Sequence, residues 1–342
     1  MTLNPISEET IRNLPKIELH VHLDTSVRPR TVGELAAEQG IDLPDDLEAA
    51  LIAPPTCENL ADYLTRVEMP LKVLQTAAAL ERTAYELVED MARENVAYAE
   101  IRYAPQLCIR RGLSMQQVID AVAAGLHAGR EDFGVLTGQI ICCLRHDPSA
   151  LSHEVVQYAI ANWRPGKVVG LDLAADEAIH GGSLHRTAFR LARGVRMPRT
   201  VHAGEAAGAE SIHEAITLLG AQRLGHGVRL EEDPTLFEPV REQHIALEMC
   251  PTSNVQTRAV RSLAEHPIDR YLKQDLPVTV NTDGRTTSNT TLTREYLKLI
   301  HQFGWGLEQI QRTVLTAAAS AFISNEERAE LRRIILDRWP KR

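Results

Sequence analysis

Short apolar runs bounded by turn residues recur along the chain, separated by longer segments with three- and four-residue hydrophobic spacing. Eight runs read as strands: Ile17 to Leu23, Ala97 to Tyr103, Leu136 to Leu144, Val168 to Ala174, Thr200 to Ala203, Arg223 to Gly225, Ile245 to Met249 and Val278 to Asn281. Between them, Ala77 to Glu94 places Leu80, Ala84, Leu87, Val88 and Met91 on one helical stripe. Ser114 is placed to cap a helix carrying Val118, Val122 and Leu126. Further helices are expected from Ser183, over Glu210 to Leu219, over Leu292 to Phe303 and over Asn325 to Asp337. Strand–helix alternation repeated around eight strands predicts an α/β fold of the (β/α)8 TIM-type barrel class. No repeat or Gly/Ser linker interrupts it, so residues 1–342 read as a single domain. One segment is too long for a crossover. Val32 to Gln75 has helical patterns of its own around the break Ala53-Pro54-Pro55, and reads as a helical insertion after the first strand. Such an insertion either walls or lids a pocket or packs on the barrel.

Composition narrows the partners. With 44% apolar and 24% charged residues and a mean hydropathy of −0.19, the chain is that of a soluble globular protein. A net charge of −9 without a basic run argues against nucleic acid, whose phosphates need a positive surface. The N-terminal residues lack the basic and apolar segments of a secretion signal, and no apolar run is long enough for a membrane span, so a cytoplasmic location is expected. Five dispersed cysteines, without Cys-x-x-Cys spacing, read as reduced buried thiols rather than disulfides or a thiolate metal site. A homo-oligomer is neither indicated nor excluded.

Chemistry gathers where the strands end. His20 and His22 share one face of the first strand because strand side chains alternate. His202 and Glu205 follow the fifth strand, His226 the sixth and Asp283 the eighth. Singly, His202 could bond a loop, His226 could serve a turn, and Asp283-Gly284 could be an ordinary turn pair. In a barrel, however, every strand ends on the same catalytic face, so these groups converge. Glycines 204, 225, 227 and 284 beside them allow close backbone approach. His20, His22, His202 and Asp283 form a nitrogen and oxygen ligand set suited to one catalytic zinc ion per chain. A second metal would need a lysine at the end of the fourth strand, whereas Lys167 lies at its beginning. Zinc would lower the pKa of its water and supply a nucleophile, leaving His226 to orient that water and accept its proton. Glu205 would act as general acid, retaining its proton through burial.

These residues resemble those of the adenosine deaminase family, within the amidohydrolase superfamily. The similarity runs from Leu14-Pro15-Lys16-Ile17-Glu18-Leu19-His20-Val21-His22-Leu23-Asp24 through Ala99 to Pro105, Gly170 to Ala174, Val201-His202-Ala203-Gly204-Glu205, Leu224-Gly225-His226-Gly227 and Met249-Cys250-Pro251-Thr252-Ser253-Asn254 to Asn281-Thr282-Asp283. The resemblance implies a single-zinc barrel that hydrolyses the 6-amino group of a purine nucleoside. It implies that His20, His22, His202 and Asp283 bind zinc, Glu205 protonates ring nitrogen 1, His226 activates water and Asp24 contacts the ribose 5′ side.

Three positions depart from the family pattern. Gly284 replaces a second aspartate that contacts the purine's five-membered ring, Ala175 replaces a glycine that offers its N–H to the base, and Thr25 replaces a glycine at the ribose end. Arg28 nearby could pair with a substrate carboxylate or with an acidic residue of the insertion. The substrate therefore stays open between adenosine and the carboxylate-bearing 6-aminodeoxyfutalosine of the menaquinone-pathway branch. Adenine deamination, another amidohydrolase reaction or a non-catalytic binding role stand behind these.

Overall fold

The computed structural model describes residues 6–340. Eight strands form the centre: β1 (Lys16–His22), β2 (Val96–Tyr103), β3 (Leu136–Leu144), β4 (Val168–Ala174), β5 (Thr200–Ala203), β6 (Arg223–His226), β7 (Ala246–Met249) and β8 (Val278–Val280). They pair in parallel as two sets, β1-β2-β3-β4 and β5-β6-β7-β8. Bridges close the ring, Leu171 with Arg199 between β4 and the entry to β5, and Val21 with Asp283 between β1 and the end of β8. At the second seam the Asp283 N–H donates to the His20 carbonyl (3.0 Å) and the His22 N–H to the Asp283 carbonyl (2.7 Å). The result is the expected (β/α)8 barrel. Its closing seam is made by residues expected to bind metal.

The helices differ from the sequence reading in several places. Helices Ser149–Asn162 and Leu307–Ser320 were not legible in the pattern, because neither begins with a side-chain-capping residue. The first follows Pro148, and the second follows Gly306, whose N–H is bonded by the Gln309 side chain. The segment at 209–219 starts as helix Ala209–Glu214 and widens into a π turn over Ala215–Leu219. The long connection between β1 and β2 carries helices Pro29–Gln39, Leu47–Leu51, Leu60–Leu64 and Glu68–Val73. No helix among the described residues is long and apolar enough to cross a membrane, and all five cysteines are free and buried.

Barrel centres are usually filled by branched apolar layers. Here Glu100, Arg102, Asp172, Arg223 and Glu248 occupy it, each essentially inaccessible to solvent. Their charges alternate along a connected path. Arg223 donates to Glu100 (2.5 Å) and Glu248 (2.6 Å), and Arg102 donates to Glu248 (2.7 Å) and Asp172 (2.8 Å). At the lower end the Phe322 N–H also donates to Glu100, and the Phe322 ring lies 3.6 Å from the Arg223 guanidinium carbon. Replacing Arg223 by Met would leave two buried carboxylates without their shared cation. Urea denaturation is expected to show a loss of about 3–5 kcal/mol in unfolding free energy.

Candidate active site

His20 and His22 at the end of β1, His202 on β5 and Asp283 just beyond β8 come together at one mouth of the barrel. One ligand atom from each lies within 4.8 Å of all the others. The Nε2 atoms of His22 and His202 face each other at 3.2 Å, and Asp283 Oδ1 lies 3.4 Å from His22 Nε2 and 3.5 Å from His20 Nε2. His20 Nε2 is buried without a hydrogen-bond partner among the described residues. Inward-facing imidazole nitrogens around one carboxylate leave polar atoms unpaired, which a bound cation would resolve. The nitrogen and oxygen donor set fits zinc.

A layer of partners behind the ligands aims them. Glu248 takes Nδ1 of His20 at 2.9 Å, Asp172 takes Nδ1 of His202 at 3.0 Å, and the Ser253 hydroxyl donates to Asp283 Oδ2 at 2.6 Å. With Nδ1 engaged, each of these two rings presents Nε2 to the centre. The sequence reading assigned none of Asp172, Glu248 or Arg102 a role. Charged residues inside otherwise apolar strand runs were the available signal.

Glu205, His226 and Asp283 form a second cluster, with Glu205 Oε2 at 3.4 Å from His226 Nε2. The Glu205 turn is clamped by Glu177, which accepts the backbone N–H groups of Gly204 (2.7 Å), Glu205 (2.9 Å), Ala206 (2.8 Å) and Ala207 (3.2 Å). Burial, reinforced by the Asp283 and Glu177 charges, pushes the Glu205 carboxyl well above the usual carboxylate range. A carboxyl that keeps its proton is what a general acid needs.

His226 is fixed by a relay that starts from backbone donors. The Ile268 N–H donates to His266 Nδ1 (3.2 Å), so the neutral His266 ring donates from Nε2 to Asn254 Oδ1 (3.1 Å). Burial pushes His266 down to about 3, which keeps it neutral. The Cys250 N–H donates to the same Asn254 oxygen, which turns the amide nitrogen towards His226 Nδ1 at 3.0 Å. A neutral His226 therefore carries its proton on Nε2, the nitrogen facing the site.

Known proteins share this chain's sequence and fold. A family model described as adenosine deaminase matches residues 15–338. An adenosine deaminase from Enterococcus faecalis is 40% identical over 94% of this chain and 96% of its own length. The chain belongs to the adenosine deaminase family. Members of this family are hydrolytic deaminases acting on C–N bonds. Among solved structures, an adenine deaminase from Arthrobacter aurescens superposes with a TM-score of 0.88 at 28% identity, covering 95% of this chain and 98% of that one. An amidohydrolase from Burkholderia ambifaria with bound Zn shares the fold at 23% identity and a TM-score of 0.90, covering 99% of this chain and 94% of that one.

The family site opens into a cavity of about 400 Å³. Asp24 and Ala175 line it, as does Thr25. Burial raises the Asp24 carboxyl to about 6, so it is mainly ionised at neutral pH and can accept from a hydroxyl. Two expected substrate contacts are corrected by the structure. Arg28 does not line the cavity, because Asp90 takes its Nε (2.9 Å) and Nη2 (2.7 Å), and Glu89 also takes Nη2 (2.6 Å). Gly284 does not line it either, because Thr25 packs over it.

Ala175, His226 and Asp283 all adopt left-handed backbone, with φ of 79°, 67° and 64°. Side chains disfavour that region. Ala175→Gly should therefore raise the unfolding free energy by about 1 kcal/mol in urea, after the glycine's extra unfolded-state entropy is deducted.

Proposed function

We propose that the protein hydrolyses adenosine, or a closely related neutral adenosine nucleoside, at carbon 6 and releases ammonia, with one zinc ion held by His20, His22, His202 and Asp283. The observation that carries the substrate choice is the charge of the cavity. Its described lining includes Asp24, Glu68, Glu205 and Asp283 but no lysine or arginine. A nucleoside extended by a carboxylate would meet carboxylates there, and Arg28 is already committed to Asp90 and Glu89. This disfavours 6-aminodeoxyfutalosine. The apolar wall suits the faces of base and sugar, since Leu60, Leu64, Val67 and Leu71 of the insertion meet Leu107 across the cavity. A free base would leave the Asp24 end unused. The Enterococcus faecalis relative points the same way.

Zinc at these four residues would lower the pKa of its water and so supply a nucleophile near neutral pH. Glu205 gives its retained proton to ring nitrogen 1, which draws electrons from carbon 6. His226 donates from Nε2 to the incoming oxygen and so fixes its direction. This differs from the sequence expectation that His226 accepts the water's proton, and the reason is the Asn254 amide occupying Nδ1. Asp283, anchored by Ser253, is the carboxylate within reach for that proton, which passes on to the amino group as the C–N bond breaks and ammonia leaves.

Ammonia release from adenosine by the purified protein, before and after chelation of metal, tests the reading. Activity should vanish on chelation and return with zinc, and full activity without metal would overturn the assignment. Glu205→Gln should retain zinc yet lose about 10²–10⁴-fold in kcat. Arg28→Ala should change kcat/KM for adenosine by less than about two-fold, since its half-exposed ion pairs lie away from the cavity.

A further inference from the structure

Gly284 follows the metal-binding carboxylate of Asp283, yet the reaction makes no use of it. Its backbone does not require glycine, because its φ lies outside the left-handed region. What requires glycine is space. A Cβ at position 284 would sit 2.6 Å from Thr25 Oγ1, 2.7 Å from Thr25 Cβ and 3.2 Å from the Tyr63 hydroxyl. Thr25 thus occupies the volume that a side chain at 284 would fill.

Thr25 is also polar in a way the fold does not satisfy. It is 6% exposed and lines the cavity, and its Oγ1 has no hydrogen-bond partner among the described residues. The neighbouring Tyr63 hydroxyl is engaged by Ser288 Oγ at 2.8 Å. The Thr25 backbone is held firmly, its N–H on Asp24 Oδ1 (2.9 Å) and its carbonyl accepting from Thr286 and Thr287 (3.1 Å each). Only the side chain is free to turn. Thr25 lies in the 3₁₀ turn Asp24–Ser26, and threonine retains two χ1 wells in helical backbone, so the hydroxyl can swing from above Gly284 towards a ligand.

We propose that Thr25 is a specificity-determining residue whose hydroxyl donates to the five-membered-ring nitrogen of the purine beside carbon 6, and that Gly284 supplies the space it needs. This rests on the purine nucleoside reading above. Carbon 6 is flanked by nitrogen 1 on one edge and by nitrogen 7 across the ring fusion on the other. Glu205, from the end of β5, serves the first edge. Thr25 stands across the mouth, at the seam between β1 and β8, and faces the second.

The test compares adenosine with 7-deazaadenosine, which lacks nitrogen 7, in the zinc-loaded enzyme. Thr25→Val keeps the shape and removes the hydroxyl. It should lower kcat/KM for adenosine by about ten-fold while changing 7-deazaadenosine by less than about two-fold, and Thr25→Ser should restore the preference. Competitive inhibition by inosine and 7-deazainosine should shift in the same ratio, which reads binding without turnover. Equal losses on both nucleosides, or no loss on adenosine, would overturn the role of Thr25. A wild-type enzyme that releases ammonia from neither nucleoside would instead overturn the deaminase reading, and this proposal with it.

Discussion

A line of alternating charges through the barrel centre, Glu100, Arg223, Glu248, Arg102 and Asp172, sets the geometry on which the site depends. Its upper carboxylates end on two rings of the candidate metal site, Glu248 on His20 and Asp172 on His202. Burial alone would raise the Glu248 carboxyl, but the Arg102 and Arg223 guanidinium groups hold it well below the usual carboxylate range. An ionised acceptor behind Nδ1 selects the tautomer that leaves Nε2 facing the metal position. Buried ion pairs bring little net stability compared with apolar packing. Their value here is orientation, since the rings are aimed before any ligand arrives.

Where the strands end, the backbone takes conformations that the sheet interior forbids. His226 and Asp283 turn into left-handed backbone at that point, as does Ala175 after β4. Glu177 then gathers the N–H groups of the Glu205 turn around one carboxylate. Glu205, the proposed general acid, is thus placed by a residue 28 positions earlier in the chain. Strain at the rim is held by the rigidity of the strands below it.

Chemistry and specificity come from different parts of the fold. Strands β1, β5 and β6 and the end of β8 carry the groups proposed to bind metal and transfer protons. The insertion after β1 adds an apolar wall, and the turn Asp24–Ser26 adds Asp24 and Thr25 to the cavity lining.

The strands and the His20, His22, His202, Glu205, His226 and Asp283 set were legible in the sequence. Alternation, run length and strand-end position are local signals, and parallel strands of a barrel necessarily share one mouth. Helices Ser149–Asn162 and Leu307–Ser320 were hidden because they lack capping side chains. The destination of Arg28 was equally hidden, since its partners Glu89 and Asp90 lie on a helix that only folding brings alongside. The same holds for Asn254 setting the His226 proton, for Glu177 clamping the acid turn, and for Thr25 filling the space at Gly284. The sequence by itself determined which chemical groups are present and which strand ends carry them. Only the closed barrel decided which nitrogen faces the centre, which charge is already paired and which hydroxyl is left over, because these depend on distances between residues far apart in the chain.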